Sequence, residues 1–146
     1  MAKAFSIEDT NLQSRSLVVS KFKDYSDLDA SMELKTSGDV YRKLDAAAVK
    51  QSVKNIILTN HDEKPFKPKF GTDIYKLLFE NYTFSLEQNI KGKIRSAIRT
   101  YEPRAEVERI DTKWDEANNH LMVTVIFRIV NTTELITLNV TLSRVR

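Results

Sequence analysis

The apolar positions of the chain keep more than one period, and each change of period marks a change of element. Leu28, Ala30, Met32 and Leu34 alternate with polar neighbours, which predicts a short half-buried strand, and Ser37-Gly38-Asp39 then supplies a turn. From Val40 the spacing lengthens. Leu44, Ala48, Val49, Ser52, Val53, Ile56 and Ile57 recur at steps of three and four, a helical stripe that stops near Thr59-Asn60. Pro65, Pro68 and Gly71 punctuate an extended loop, HDEKPFKPKFG, and a short helix over about 72–81 follows, with Thr72 or Asp73 at its start. Ser85 with Gln88 three residues on reads as a capping box for the next helix, whose stripe is Ile90, Ile94, Ala97, Ile98 and Tyr101. Pro103 ends it, because proline has no N–H and pushes Glu102 out of the helical region.

Beyond Pro103 the pattern is β-type. Ala105 to Trp114 is a strand whose alternation slips between Val107 and Ile110, the signature of a bulge. Residues 115–119 make a turn. Leu121 to Val130 is apolar on both faces, as a central strand should be, Asn131-Thr132-Thr133 turns the chain, and Ile136, Leu138, Val140 and Leu142 alternate to nearly the end. The expected class is α+β: helices packed against a C-terminal antiparallel meander, with a short N-terminal strand. Residues 1–27 read as a polar arm with one β-type patch at Leu17-Val18-Val19, and 28–146 as a single domain.

Composition narrows the chemistry. At 146 residues the chain can bury a proper core, and a net charge of +3 does not by itself call for nucleic acid. The absence of cysteine removes disulfides and thiolate catalysis, and no apolar run approaches the roughly 20 residues that span a bilayer. The two histidines, His61 and His120, fall in predicted loops without metal-ligand spacing, and the three glycines are too isolated to cradle a phosphate. No cofactor is expected. A two-carboxylate glycosidase needs one carboxyl with a raised pKa; Glu80, Glu87 and Glu102 lie nearest apolar positions, but Glu87 is already accounted for as a first-turn residue facing the helix dipole. Lys91, Lys93, Arg95 and Arg99 form a basic helix face, which reads as solvated rather than phosphate-gripping because no stacking aromatics accompany it.

Three segments together carry a family resemblance: SDLDASMELKTSGDVYRKLDAAAVKQSVKNIILT, then DEKPFKPKFGTDIYKLLFE, then IRTYEPRAEV. In this order they resemble the baseplate wedge, or sheath-initiator, family of contractile phage tails. That family has relatives in type VI secretion baseplates and was long labelled acidic lysozyme. The likeness covers most of residues 26–146. It departs from the family where Asp62 stands in place of a glycine before Glu63-Lys64-Pro65, a change expected to alter the loop's backbone angles. The resemblance implies a non-enzymatic virion part, present in several copies around the tail tube, with no nucleic-acid or membrane partner. Its implied partners are a helical bundle of other wedge proteins and the tail sheath protein. A peptidoglycan hydrolase is the alternative.

Glu102-Pro103-Arg104 is then more than a helix stop. Proline stiffens the backbone between a carboxylate and a planar, bidentate guanidinium, and the resemblance makes this step the docking point for the wedge bundle. The last two strands, about 121–146, are the expected platform for a partner strand, with Val125, Phe127, Leu138 and Val140 as contact side chains.

Overall fold

The computed structural model describes residues 25–115, 117–130 and 132–143. The patch at Leu17-Val18-Val19, nearly all of the proposed arm, one residue of each predicted turn (Glu116 and Asn131) and residues 144–146 lie outside the described residues. The remainder is α+β, with elements β1 (Ser26–Leu28), β2 (Arg42–Leu44), α1 (Ala46–Leu58), α2 (Ile74–Leu77), α3 (Phe84–Tyr101), β3 (Ala105–Asp115), β4 (His120–Ile129) and β5 (Leu135–Ser143). The last three strands form an antiparallel sheet in the order β3-β4-β5, and β1 pairs with β2 as a separate two-stranded hairpin.

The core is a two-layer sandwich. α3 lies against β3 and α1 against β5, and the two helices also touch each other. From the helices come Val49, Val53, Ile57, Ile90, Ile94 and Ile98; from the sheet come Leu121, Val123, Val125, Phe127, Leu138, Val140 and Leu142. The period-2 and period-3.6 stripes thus meet along one surface, and burying each such side chain contributes about 1.5–3 kcal/mol of transfer free energy. The slip between Val107 and Ile110 is a bulge: the register with β4 shifts between Val107 and Arg109, leaving Glu108 unpaired. Arg128 on β4 reaches Glu106 at 2.8 Å and Glu108 at 3.3 Å, bracketing the bulge from the outer face.

Four sequence expectations need correction. The alternation over residues 28–34 is not a half-buried strand, since Leu28, Met32 and Leu34 are exposed. The strand ends at Leu28 because Asp29 starts a turn, its carboxylate accepting from the Ser31 N–H and its carbonyl from Met32, whose φ is +54°. The hairpin is held to α1 by the Gln51 amide, which accepts from the Ala30 N–H and donates to the Leu28 carbonyl and the Asp27 carboxylate. The first helix starts at Ala46, not at Val40, because residues 42–44 are taken by β2.

The short helix is one turn, with Asp73 at its N-cap position as one of the two expected starts, but without a side-chain capping bond. The Thr72 hydroxyl instead donates to the Ile57 carbonyl at 2.9 Å, and Asp73 takes a left-handed conformation. For α3 the cap is Thr83, whose Oγ1 accepts from the Leu86 N–H at 3.2 Å, not Ser85. Starting two residues earlier brings Leu86 into the core and lets the Glu87 carboxylate accept from Thr112 and pair with Lys91.

Gly71 is where the loop between α1 and α2 comes closest to the helix. Its φ is +102°, and a Cβ there would lie 2.2 Å from the Thr59 carbonyl oxygen, which also accepts the Thr72 N–H. Both the conformation and the contact exclude a side chain, and neither partner is a flexible side-chain end. Gly71→Ala is therefore expected to cost at least about 2 kcal/mol, read as a lowered urea midpoint at unchanged m-value.

Candidate functional site

The corner between α3 and β3 is built by Glu102, Pro103 and Arg104. The backbone leaves the helix at Glu102 (φ −134°, ψ 70°), and the Ala105 N–H donates to the Glu102 carbonyl to close the turn. Glu102 is 2% exposed. Its carboxylate accepts two bonds from Arg104 in the same chain, Nε to Oε1 at 2.5 Å and Nη2 to Oε2 at 2.7 Å, the bidentate geometry in which a guanidinium pairs most strongly. The Arg104 side chain keeps 38% of its surface exposed, and its guanidinium lies 4.9 Å from the centre of the Tyr25 ring. Pro103 is exposed at the tip.

Burial opposes ionisation of Glu102, but hydrogen bonds from Arg104 and Ser52 outweigh it and hold the carboxyl below its ordinary value of 4.5. Both charges of the motif are thus not free to be spent on a partner. Glu102 is consumed within the chain, and what the corner offers outward is the face of Arg104 and the ring of Pro103. The motif's stiffness comes from this pairing as much as from proline.

Around the corner lies a concave surface lined by Asp27, Ser52, Glu63, Lys64, Lys67 and Tyr101. The loop after α1 forms its far wall and is pinned to the end of α3: the Tyr101 hydroxyl donates to the Lys69 carbonyl at 2.5 Å, and the Tyr101 and Phe70 rings pack 4.9 Å apart. Within the loop, Glu63 accepts from the backbone and side-chain nitrogens of Asn60, and the Asp62 N–H donates to the Pro68 carbonyl. Asp62 has φ +70°, so aspartate itself adopts the left-handed conformation that glycine takes without cost, and the loop closes around it. Sequence reasoning missed Phe66, which also has a positive φ (+64°) and is fully exposed. The signal was available, since Phe66 is the one large apolar residue between two Lys-Pro or Pro-Lys steps.

The platform side chains are placed otherwise than expected. Val125 and Phe127 are 0% exposed and Leu138 and Val140 4% exposed, because all four point to the helix side of the sheet. They are core and cannot meet a partner's side chains. The central position of β4 leaves it no free edge. What remains open among the described residues is the outer edge of β5, nine residues paired to β4 without a register shift, and the outer edge of β3, interrupted by the bulge.

The comparisons with known proteins bear on the whole of this region. Residues 43–134 match the family described as baseplate wedge protein gp25. The chain belongs to this family. The matched span holds the Glu102–Arg104 corner, β3 and β4, and ends before β5. Baseplate wedge protein gp25 of Enterobacteria phage T4 is 40% identical over 82 residues, which are 56% of this chain and 62% of that protein. Among solved structures, a putative tail lysozyme from Geobacter sulfurreducens shares 21% identity at a TM-score of 0.61, covering 67% of this chain and 89% of its own. A chain of the anti-feeding prophage baseplate shares 19% identity at 0.59, covering 84% and 87%. A chain of the postcontracted pyocin R2 baseplate shares 13% at 0.54, covering 80% and 97%. These structural likenesses establish the fold, and the family match establishes that the chain is a baseplate component of a phage or phage-like particle.

The corner predicts a pH dependence. A glutamate whose folded pKa lies below its unfolded value contributes stability that is fully present above about 4.5 and is lost as pH falls through the folded pKa. In urea titrations wild type should therefore exceed Glu102→Gln in stability at pH 7, and the gap should narrow steadily below about pH 4.5. A gap that is constant from pH 7 to pH 3 would show that the carboxylate charge is not what the corner uses.

Proposed function

We propose that the chain is a non-enzymatic wedge part of a contractile tail, joining other wedge proteins at the Glu102–Pro103–Arg104 corner and starting the sheath at the free edge of β5. The observation that carries this reading is the buried, self-paired Glu102. A carboxylate neutralised inside the chain fixes the direction of the exposed Arg104 face and Pro103, a preorganised contact that loses little side-chain entropy on docking. A helical partner would present carbonyls at a C-terminus or an acidic side chain to the remaining Arg104 donors.

The choice between the two open edges follows from their shape. A bulge and the charged residues Glu106, Glu108 and Arg109 blunt β3, the usual way in which an edge is protected from pairing. β5 carries no charged residue between Leu135 and Ser143 and no bulge, so it suits an added strand through main-chain hydrogen bonds. The corner adjoins β3 and the groove adjoins β5, and the two surfaces meet at α1, where Asn55 lines both.

The hydrolase reading receives no support from Glu87 or Glu102. A general acid needs a raised pKa, whereas Glu87 and Glu102 are both shifted down: Glu87 by its hydrogen bonds to Lys91 and Thr112, and Glu102 by those from Arg104 and Ser52 against the cost of burial.

The test is a pull-down from cells making the whole tail, with circular dichroism as a folding check. Wild type is expected to retrieve wedge proteins. The folded Glu102→Ala/Arg104→Ala variant should lose them, and Arg104→Lys, which keeps the charge but not the fork, should retain only part. Equal recovery by all three would remove the corner from docking. Clearing of a cell-wall suspension by purified wild type would overturn the non-enzymatic reading.

A further inference from the structure

The groove beside β5 carries a charge pattern that the edge alone does not explain. It runs between the β1–β2 hairpin, the outer flank of α1 and the middle of β5, and is lined by Lys43, Ala47, Lys50, Lys54 and Leu58 facing Thr137–Asn139. Ala47, Lys50, Lys54 and Leu58 follow one another at steps of three and four, so they form a single stripe on α1. Lys43 is engaged by Asp29 at 3.0 Å. Lys50 and Lys54 are exposed, and neither has an acidic partner among the described residues. Elsewhere Lys91 pairs with Glu87 and Lys76 with Asp73, while Lys93, Arg95 and Arg99 of α3, like Lys50 and Lys54, have no ion pair among the described residues. What sets this groove apart is that its two lysines share one helix stripe beside a straight strand edge with no charged residue of its own.

Their spacing has a strand counterpart. Four residues of helix rise about 6 Å, and two residues of strand advance about 6.7 Å. A strand added to β5 would direct alternate side chains to the helix side of the sheet, continuing the face of Leu138 and Val140 over the flank of α1. Consecutive helix-facing positions on that strand would then lie at nearly the lysine spacing.

We propose that the β5 groove selects an extended segment of a partner protein with acidic residues two positions apart, Asp or Glu at i and i+2, directed to Lys50 and Lys54. This rests on the β5-edge reading above and adds the chemistry of the occupant. The main chain would provide most of the affinity, and the lysines would set register and discrimination, since each exposed pair changes affinity only about 1.5- to 5-fold. A one-residue slip would turn both acids away from α1, so the pattern would also specify register. A nucleic-acid occupant is disfavoured because Asp29 shares the groove and two free cations make a sparse phosphate track.

The experiment titrates the isotopically labelled full chain with three nine-residue peptides of alternating Val and Thr, carrying Glu, Gln or Lys at positions 4 and 6. Amide chemical shifts report binding even at millimolar affinity and show which edge is used. The expected result is perturbation of the β5 amides, with the Glu peptide about fivefold tighter than Gln and the Lys peptide weakest. That order should collapse in Lys50→Gln/Lys54→Gln, whose substitutions lie on the exposed flank, and shrink with added salt. Equal binding of the three peptides at β5 would overturn the acidic preference while leaving the edge reading intact. No perturbation of the β5 amides by any peptide would overturn both.

Discussion

Covering one face of a three-stranded sheet with two helices requires the chain to turn back on itself sharply between α3 and β3, and the Glu102–Arg104 pair holds that turn. α3 brings Ile90, Ile94 and Ile98 over the sheet, and within four residues of Ile98 the backbone must become extended so that Ala105 can oppose Ile129 on β4. Proline alone would stop the helix without fixing where the chain goes next. The bidentate pair, the Ala105 N–H to Glu102 bond and the Val130 N–H to Arg104 bond define that direction. A buried ion pair is weak ground for net stability, since desolvating both groups offsets much of their attraction. Its service here is conformational: an unpaired carboxylate at this depth would be far costlier than the paired one, so other paths of the corner are penalised.

The same pairing would let one motif be structural and, on the function proposed above, recognitional together. Glu102 organises from within, and Arg104 is half in and half out, with two of its nitrogens on Glu102 and its guanidinium carbon over the Tyr25 ring. Sequence reasoning treated the two charges as equivalent outward groups. Nothing in the letters distinguishes a glutamate whose partner stands two residues away from one whose partner is another chain; only the fold, which sinks Glu102 to the level of Ser52, does so.

Long periodic segments were legible because their stripes are set by burial, which the sequence must encode. α1, α3, β4, β5 and the bulge in β3 all follow from such spacing. Short elements were not. In the 28–34 segment the alternation is real, but the Asp29 turn cuts it, and the hairpin pairs with itself instead of presenting a face to the core. At Thr83 and Ser85 two capping hydroxyls compete, and burial of Leu86 selects the earlier one over the better box. The last two strands lie where the alternation placed them, and the side chains expected to meet a partner are turned to the helices. Leu138 and Val140 are apolar because they are core, so an apolar side chain was a poor marker for a contact that runs through the main chain.

That last error points to a general property of strand-adding surfaces. The recognition unit of an edge is the backbone, which every sequence has, so its side chains report chiefly on the chain's own packing. Specificity has to come from neighbours that flank the edge without belonging to it. On the proposed reading those neighbours would be the stripe of α1 beside β5 and, at the opposite edge, the arginines Arg95 and Arg99 of α3 near the blunted β3. Both edges are flanked by cations, yet only one is straight and uncharged along its length. Discrimination between a permitted and a forbidden strand would therefore be divided between two physical terms: the regularity of the edge, which decides whether a strand can add, and the helix charges beside it, which decide which strand does.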